Sequence, residues 1–152
     1  MRVALYRRTS EDDPDTRMEW NGIYTGIKYQ CVEFARRYYL IRYNLLFDQV
    51  PDAYSIAWLP TILNRSTHRR LSWPTFPNAK ESPPPIPGSL LLWAPEGRFE
   101  PTGHVAVVTY VGRDFVDVAE QNYGSGHRRL LLRNGVIASK GLVGWKLLPA
   151  QK

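Results

Sequence analysis

The chain has one cysteine in 152 residues, so no internal disulfide can form and the fold does not depend on an oxidising compartment. No apolar run approaches the roughly 18 residues that a membrane-spanning helix needs. The opening Met1-Arg-Val-Ala-Leu-Tyr6 is too short an apolar stretch for a secretory signal before Arg7 and Arg8 interrupt it, and a cytoplasmic location is expected. Neither Gly-x-x-x-x-Gly-Lys-Ser/Thr nor Gly-x-Gly-x-x-Gly occurs, so nucleotide binding lacks a motif. One cysteine and three scattered histidines have no metal-ligand spacing; no metal and no cofactor is expected. Acidic residues are the scarcer sign, 14 against 20 Lys and Arg, for a net charge of +6. The surplus is spread as pairs (Arg7–Arg8, Arg36–Arg37, Arg69–Arg70, Arg128–Arg129) and reads as a solvated surface, not as a nucleic-acid or membrane footprint.

What is there describes an ordinary folded protein: 43% hydrophobic and 22% charged residues, and enough length for one domain over residues 1–152. Residues 1–20 read as an N-terminal arm, with the acidic, Pro-containing stretch Ser10–Thr16 as a loop. Gln30–Asn44 reads as a helix of about three turns, with Cys31, Ala35, Tyr38 and Arg42 on one stripe, widened by Val32, Tyr39 and Tyr43. A second helix is expected within Pro51–Leu63, starting near Asp52 or Ser55, with Pro60 a kink or stop. Thr67–Pro87, rich in Pro, Ser and Trp, reads as a stiff connection wrapping the surface. Ser89–Trp93, His104–Val111, Phe115–Glu120, Leu130–Leu132 and Val143–Leu147 follow as short strands. Helices first and an antiparallel sheet afterwards make an α+β fold. The five Trp and nine Tyr fall mostly at core-like spacings and read as packing.

Cys31 in the first turn of a helix feels the positive end of the macrodipole, which favours thiolate, and the free N–H groups there can stabilise an oxyanion. A base is needed. His68 and His127 sit in polar segments and look exposed, whereas His104 opens the apolar run Val105-Ala-Val-Val108. The next strand ends in Glu120, followed by Gln121 and Asn122. If Gly112-Arg113-Asp114 turns a hairpin with Val111 opposite Phe115, facing residues sum to 226. Ala106 then faces Glu120, His104 faces Asn122, and His104 and Glu120 are diagonal neighbours. A two-residue turn would break this register. Glu120 or Asn122 can then accept from one imidazole nitrogen while the other takes the Cys31 proton, the division of labour of an acyl-transfer site.

Gly26-Ile-Lys-Tyr-Gln-Cys-Val-Glu-Phe-Ala-Arg-Arg37 closely resembles the nucleophile segment of the CHAP amidases, and within them the amidase domain of glutathionylspermidine synthetase/amidase. Pro87-Gly88-Ser-Leu-Leu-Leu-Trp93, Gly103-His-Val-Ala-Val-Val108 and Ala119-Glu-Gln-Asn122 match later family blocks in order. The resemblance implies a papain-like fold of the CHAP/NlpC-P60 type, with N-terminal helices packed on an antiparallel sheet. It implies Cys31 as nucleophile, His104 as base and Glu120 orienting it. Asn122 would assist, and Gln30 and Arg36 would line the substrate pocket. The implied substrate is a small peptide amide, glutathionylspermidine or a similar glutathione conjugate, with cell-wall peptides as the alternative and a non-catalytic binding domain behind both. The chain departs from the family pattern at Ser89, where an acidic residue often follows Pro-Gly. Its positive charge also suits a polyamine conjugate poorly.

Overall fold

The computed structural model describes residues 2–6, 16–28 and 30–150. Most of the expected acidic loop, Ser10–Thr16, lies outside them, as do Arg7 and Arg8. In chain order, strands β1 (Arg17–Trp20) and β2 (Ile23–Ile27) pair as a hairpin whose tight turn places Asn21 and Gly22 at positive φ. The helix α1 (Cys31–Tyr43) follows and ends at Asn44, left-handed at φ 53°, whose N–H returns to the carbonyls of Leu40 and Tyr39. Then come β3 (Leu45–Leu46), β4 (Thr61–Asn64), β5 (Arg69–Ser72), β6 (Thr75–Pro77), β7 (Leu90–Trp93), β8 (His104–Val111), β9 (Phe115–Ala119), β10 (His127–Arg133), β11 (Val136–Ile137) and β12 (Leu142–Lys146).

Among the described residues the fold is predominantly β, with one α-helix. Seven strands form a curled antiparallel sheet in the order β11-β10-β9-β8-β7-β12-β6, and β3-β4-β5 form a small second sheet. Every residue of β7 is buried, as a continuous apolar run in a central strand should be. Its alternation divides the core. Leu90 and Leu92, with Val105 and Val107 of β8, pack against Phe34, Ala35 and Tyr39 of α1. Leu91 and Trp93 face the other way, onto Ala106, Val116, Val118 and Trp145 within the curl. Fully burying each such side chain stabilises by about 1.5–3 kcal/mol.

The expectation of several N-terminal helices is corrected here. Over Pro51–Leu63 there is only a short 3-10 helix, Tyr54–Trp58. It starts where expected, with Asp52 Oδ1 accepting from the Ser55 amide at 2.9 Å. Pro60 then holds Leu59 extended (φ −70°, ψ 121°), and the chain continues as β4, burying Ile62 and Asn64 on alternate positions. The connection Thr67–Pro87 is not only a surface wrap. It supplies β5 and the sheet edge β6, and it sends Trp73 into the core, where its Nε1 donates to the Leu147 carbonyl at 3.0 Å.

The helical stripe also differs from the expected one. Arg42 is exposed and Tyr38 half-buried, while Glu33, Arg36 and Arg37 are buried. The helix is enclosed nearly all round, so its buried surface includes polar residues that satisfy one another or nearby carbonyls.

Candidate active site

Cys31 opens α1, so its amide is among the first-turn N–H groups that no helical carbonyl can take. Gln30, at the N-cap with extended backbone, makes no side-chain cap to them. Cys31 is partly exposed and lines a cavity of about 130 Å³ together with Gly26, Gln30, Arg36, Asp52 and Thr102.

Across the cleft, His104 begins β8 directly opposite Trp93 and is 3% exposed. Its Nε2 lies 2.7 Å from Glu120 Oε1, and the Cys31 side chain is near enough to help raise its pKa. With Nε2 taken by the carboxylate, Nδ1 is the nitrogen left for the sulfur. The imidazole is further fixed by stacking: Phe99 lies parallel to it, with centroids 4.6 Å apart and 3° between planes. Trp93 and Tyr123 pack against it at 5.4 and 5.6 Å.

The strand register that brings His104 to Glu120 arises differently from the expected hairpin. Near the turn, Val111 pairs with Val116 and Tyr110 with Asp117, one step off. A bulge at Thr109 then restores Val108 opposite Val118 and Val107 opposite Ala119. At the site end the pairing is therefore the one that makes His104 and Glu120 diagonal neighbours.

Glu120 carries more than one partner. Arg128 of β10 donates from Nε to Oε2 at 2.6 Å and from Nη2 to Oε1 at 2.9 Å. Burial alone would raise the Glu120 pKa, but hydrogen bonds from His104 and Arg128 outweigh it and hold the carboxyl below its ordinary value. For His104, burial disfavours the imidazolium, yet Cys31 and Glu120 prevail and raise its pKa from 6.5 to about 9.

A second buried network ties the helix to the end of β9. Arg37 donates to Glu33 at 2.9 and 3.3 Å and to Gln121 Oε1 at 3.0 Å. Gln121 Nε2 in turn donates to the Gln30 carbonyl at 3.0 Å and to Glu33 Oε1 at 3.2 Å. Thr25 Oγ1 donates to Glu33 Oε2 at 2.8 Å, and the Tyr6 amide to Gln121 Oε1 at 3.0 Å. Gln121, the residue after Glu120, thus ties the end of β9 to Gln30, the residue before Cys31.

Of the sequence-derived candidates, Cys31, His104 and Glu120 come together. Gln30 and Arg36 lie along the cavity beside Cys31, but Arg36 is 4% exposed. It spends Nε on the Phe47 carbonyl at 3.1 Å and Nη1 on the Tyr24 carbonyl at 2.7 Å. Asn122 is exposed, left-handed at φ 64°, and lines a different cavity with Tyr6 and His127. His68 and His127 are exposed. Sequence reasoning did not single out Glu33, Arg37, Gln121, Arg128, Phe99 or Tyr123. The i,i+4 spacing of Glu33 and Arg37 was a visible pairing signal; the others carried none.

Comparison with known proteins matches the CHAP domain to residues 22–122. The chain is 38% identical over 112 residues to the bifunctional glutathionylspermidine synthetase/amidase of Escherichia coli (strain K12), covering 74% of this chain and 18% of that protein. It is 36% identical over 103 residues to the trypanothione synthetase of Crithidia fasciculata, covering 68% of this chain and 16% of that one. The chain therefore spans less than a fifth of the length of these relatives.

Proposed function

The chain belongs to the CHAP domain family, and from that premise we propose that it is a cysteine amidase of papain-like architecture with Cys31 as nucleophile, His104 as base and Glu120 as the group that orients the base. The observation that carries this reading is the buried imidazole that bonds Glu120 through Nε2 and whose pKa is raised by Cys31 as well as by that carboxylate.

In the proposed reaction the Cys31 proton passes to His104 and Sγ attacks the amide carbonyl carbon, forming an S–C bond. The carbonyl oxygen becomes an oxyanion facing the first-turn amides of α1. Collapse breaks the C–N bond, and His104 gives its proton to the departing amine. Water, deprotonated by His104, then attacks the thioester and releases the carboxylic acid and the thiol. Glu120 keeps the imidazole in one tautomer and orientation throughout, and Arg128 keeps Glu120 anionic.

Relatives named for glutathionylspermidine make its amide the first substrate to test. The expected result is release of free spermidine by the wild type and none by Cys31→Ala. Equal release by both would remove Cys31 as nucleophile. Cell-wall peptides are the second reading, favoured by the net charge of +6, which suits anionic wall polymers. Clearing of purified wall in place of spermidine release would select it.

A further inference from the structure

Beyond the rings that cover His104 lies a cavity of about 630 Å³ whose lining includes Glu96, Arg98, Phe99, Tyr123, Arg128 and Lys140. Two of these are the same rings that fix the imidazole: Phe99 stacks on it and Tyr123 packs against it. The wall between base and cavity is one aromatic layer thick. Arg98 donates to the Tyr123 hydroxyl and its guanidinium lies 5.4 Å over the Tyr123 ring, so this cation is tethered at that wall. Arg128 stands 4.4 Å over the same ring.

The charges in the lining do not cancel. Arg128 is matched by Glu120. Glu96, the lining's carboxylate, offsets one of Arg98 and Lys140, and one positive charge remains. A single carboxylate would neutralise the cavity.

The chemistry of the amidase reading, on which this inference rests, decides which half of a substrate meets the cavity. The base that takes the thiol proton must return it to the leaving nitrogen, so the leaving amine departs past His104. The acyl half occupies the cavity beside Cys31, on the helix side. A leaving group that continues beyond its nitrogen runs along Phe99 and Tyr123 toward Arg98 and Lys140. We propose that this cavity is a leaving-group subsite for an amine bearing a carboxylate, and that it disfavours a polyamine. The reading refines the amine half of the substrate and leaves the acyl half untouched.

The test uses three amides with one acyl group, the glycyl carboxyl of glutathione coupled to β-alanine, to n-propylamine or to spermidine. For the wild type, kcat/KM should be about tenfold higher for the β-alanine amide than for the propylamide, and lowest for spermidine. Arg98 and Lys140 are exposed, so each contributes about threefold. Arg98→Gln/Lys140→Gln leaves Glu96 as the unmatched charge of the lining and should abolish or reverse the preference for the β-alanine amide over the spermidine amide. A spermidine amide cleaved best by the wild type, or a ranking that survives the double substitution, overturns the subsite. The same amides are titrated onto Cys31→Ala by calorimetry. Turnover with no carboxylate preference in rate or binding sinks the subsite alone. Carboxylate-dependent binding with no turnover by wild type sinks the amidase reading and this leaving-group assignment with it.

Discussion

Glu120→Gln keeps the size of the side chain and removes the charge on which His104 and Arg128 converge. The amide can offer its oxygen to the Nε2 hydrogen or to the guanidinium, while its NH2 must face a donor. In the wild type the rise of the His104 pKa from 6.5 to about 9 favours the imidazolium by about 3 kcal/mol at about 1.4 kcal/mol per unit. That balance is reached against burial, so Cys31 and Glu120 together supply more than the net figure. Removing Glu120 leaves Cys31 alone against burial, and the His104 pKa should fall by more than one unit. The wild-type kcat/KM should then hold through neutral pH and decline as pH passes about 9, whereas the variant's alkaline limb should lie well below that. At pH 7.5 a pKa returned to about 6.5 leaves about a tenth of the imidazolium, so the variant should lose on the order of tenfold in kcat/KM. Iodoacetamide alkylation of Cys31 across pH reads the same ionisation without a substrate. Stability has a matching sign. A raised folded pKa stabilises fully below the unfolded value of 6.5, and that contribution is lost as pH rises through about 9. The wild type's stability advantage from this group should therefore shrink between those limits. A folded Glu120→Gln protein with an unmoved alkaline limb would refute the claim that the carboxylate holds the imidazolium.

Other substitutions probe the supporting structure. Glu33→Ala strands a buried guanidinium at Arg37 and should cost about 3–5 kcal/mol in urea unfolding; Glu33→Gln, which keeps one acceptor, should cost less. Gly103→Ala puts a Cβ 2.5 Å from the Trp93 carbonyl oxygen and 2.9 Å from Tyr54 Cβ, at φ +73°. It should destabilise by more than about 1 kcal/mol and, by displacing His104, lower kcat more than it raises KM in steady-state assays.

The parts legible in the sequence were those written in local pattern. The helix beginning at Cys31 and the strand His104–Val111 follow from periodicity and breakers, and both have the expected bounds within a residue. The register between β8 and β9 was legible only in outcome. Counting from the turn gives a constant sum, whereas the chain is one step off until the bulge at Thr109 corrects it. Nothing local in Val108-Thr109-Tyr110 announces a bulge. Arg36 and Arg37 read as surface charge because hydropathy takes no account of partners 11 and 84 residues away at Phe47 and Gln121. Arg128 was hidden for the same reason, as one of a basic pair whose neighbour Arg129 is an ordinary exposed partner of Asp117. The helix expected over Pro51–Leu63 failed because its apolar residues serve a 3-10 turn and a strand, and two prolines leave too little room for more.

The bulge and the Gln121 bridge have a consequence for synthesis. Cys31 leaves the ribosome more than 70 residues ahead of His104 and nearly 90 ahead of Glu120, and the Gln121 link back to the start of the helix spans 91 residues. Such contacts form late, after loop closure. No nascent or half-folded fragment can therefore assemble the Cys31–His104–Glu120 arrangement, which appears only when the sheet has closed in its final register.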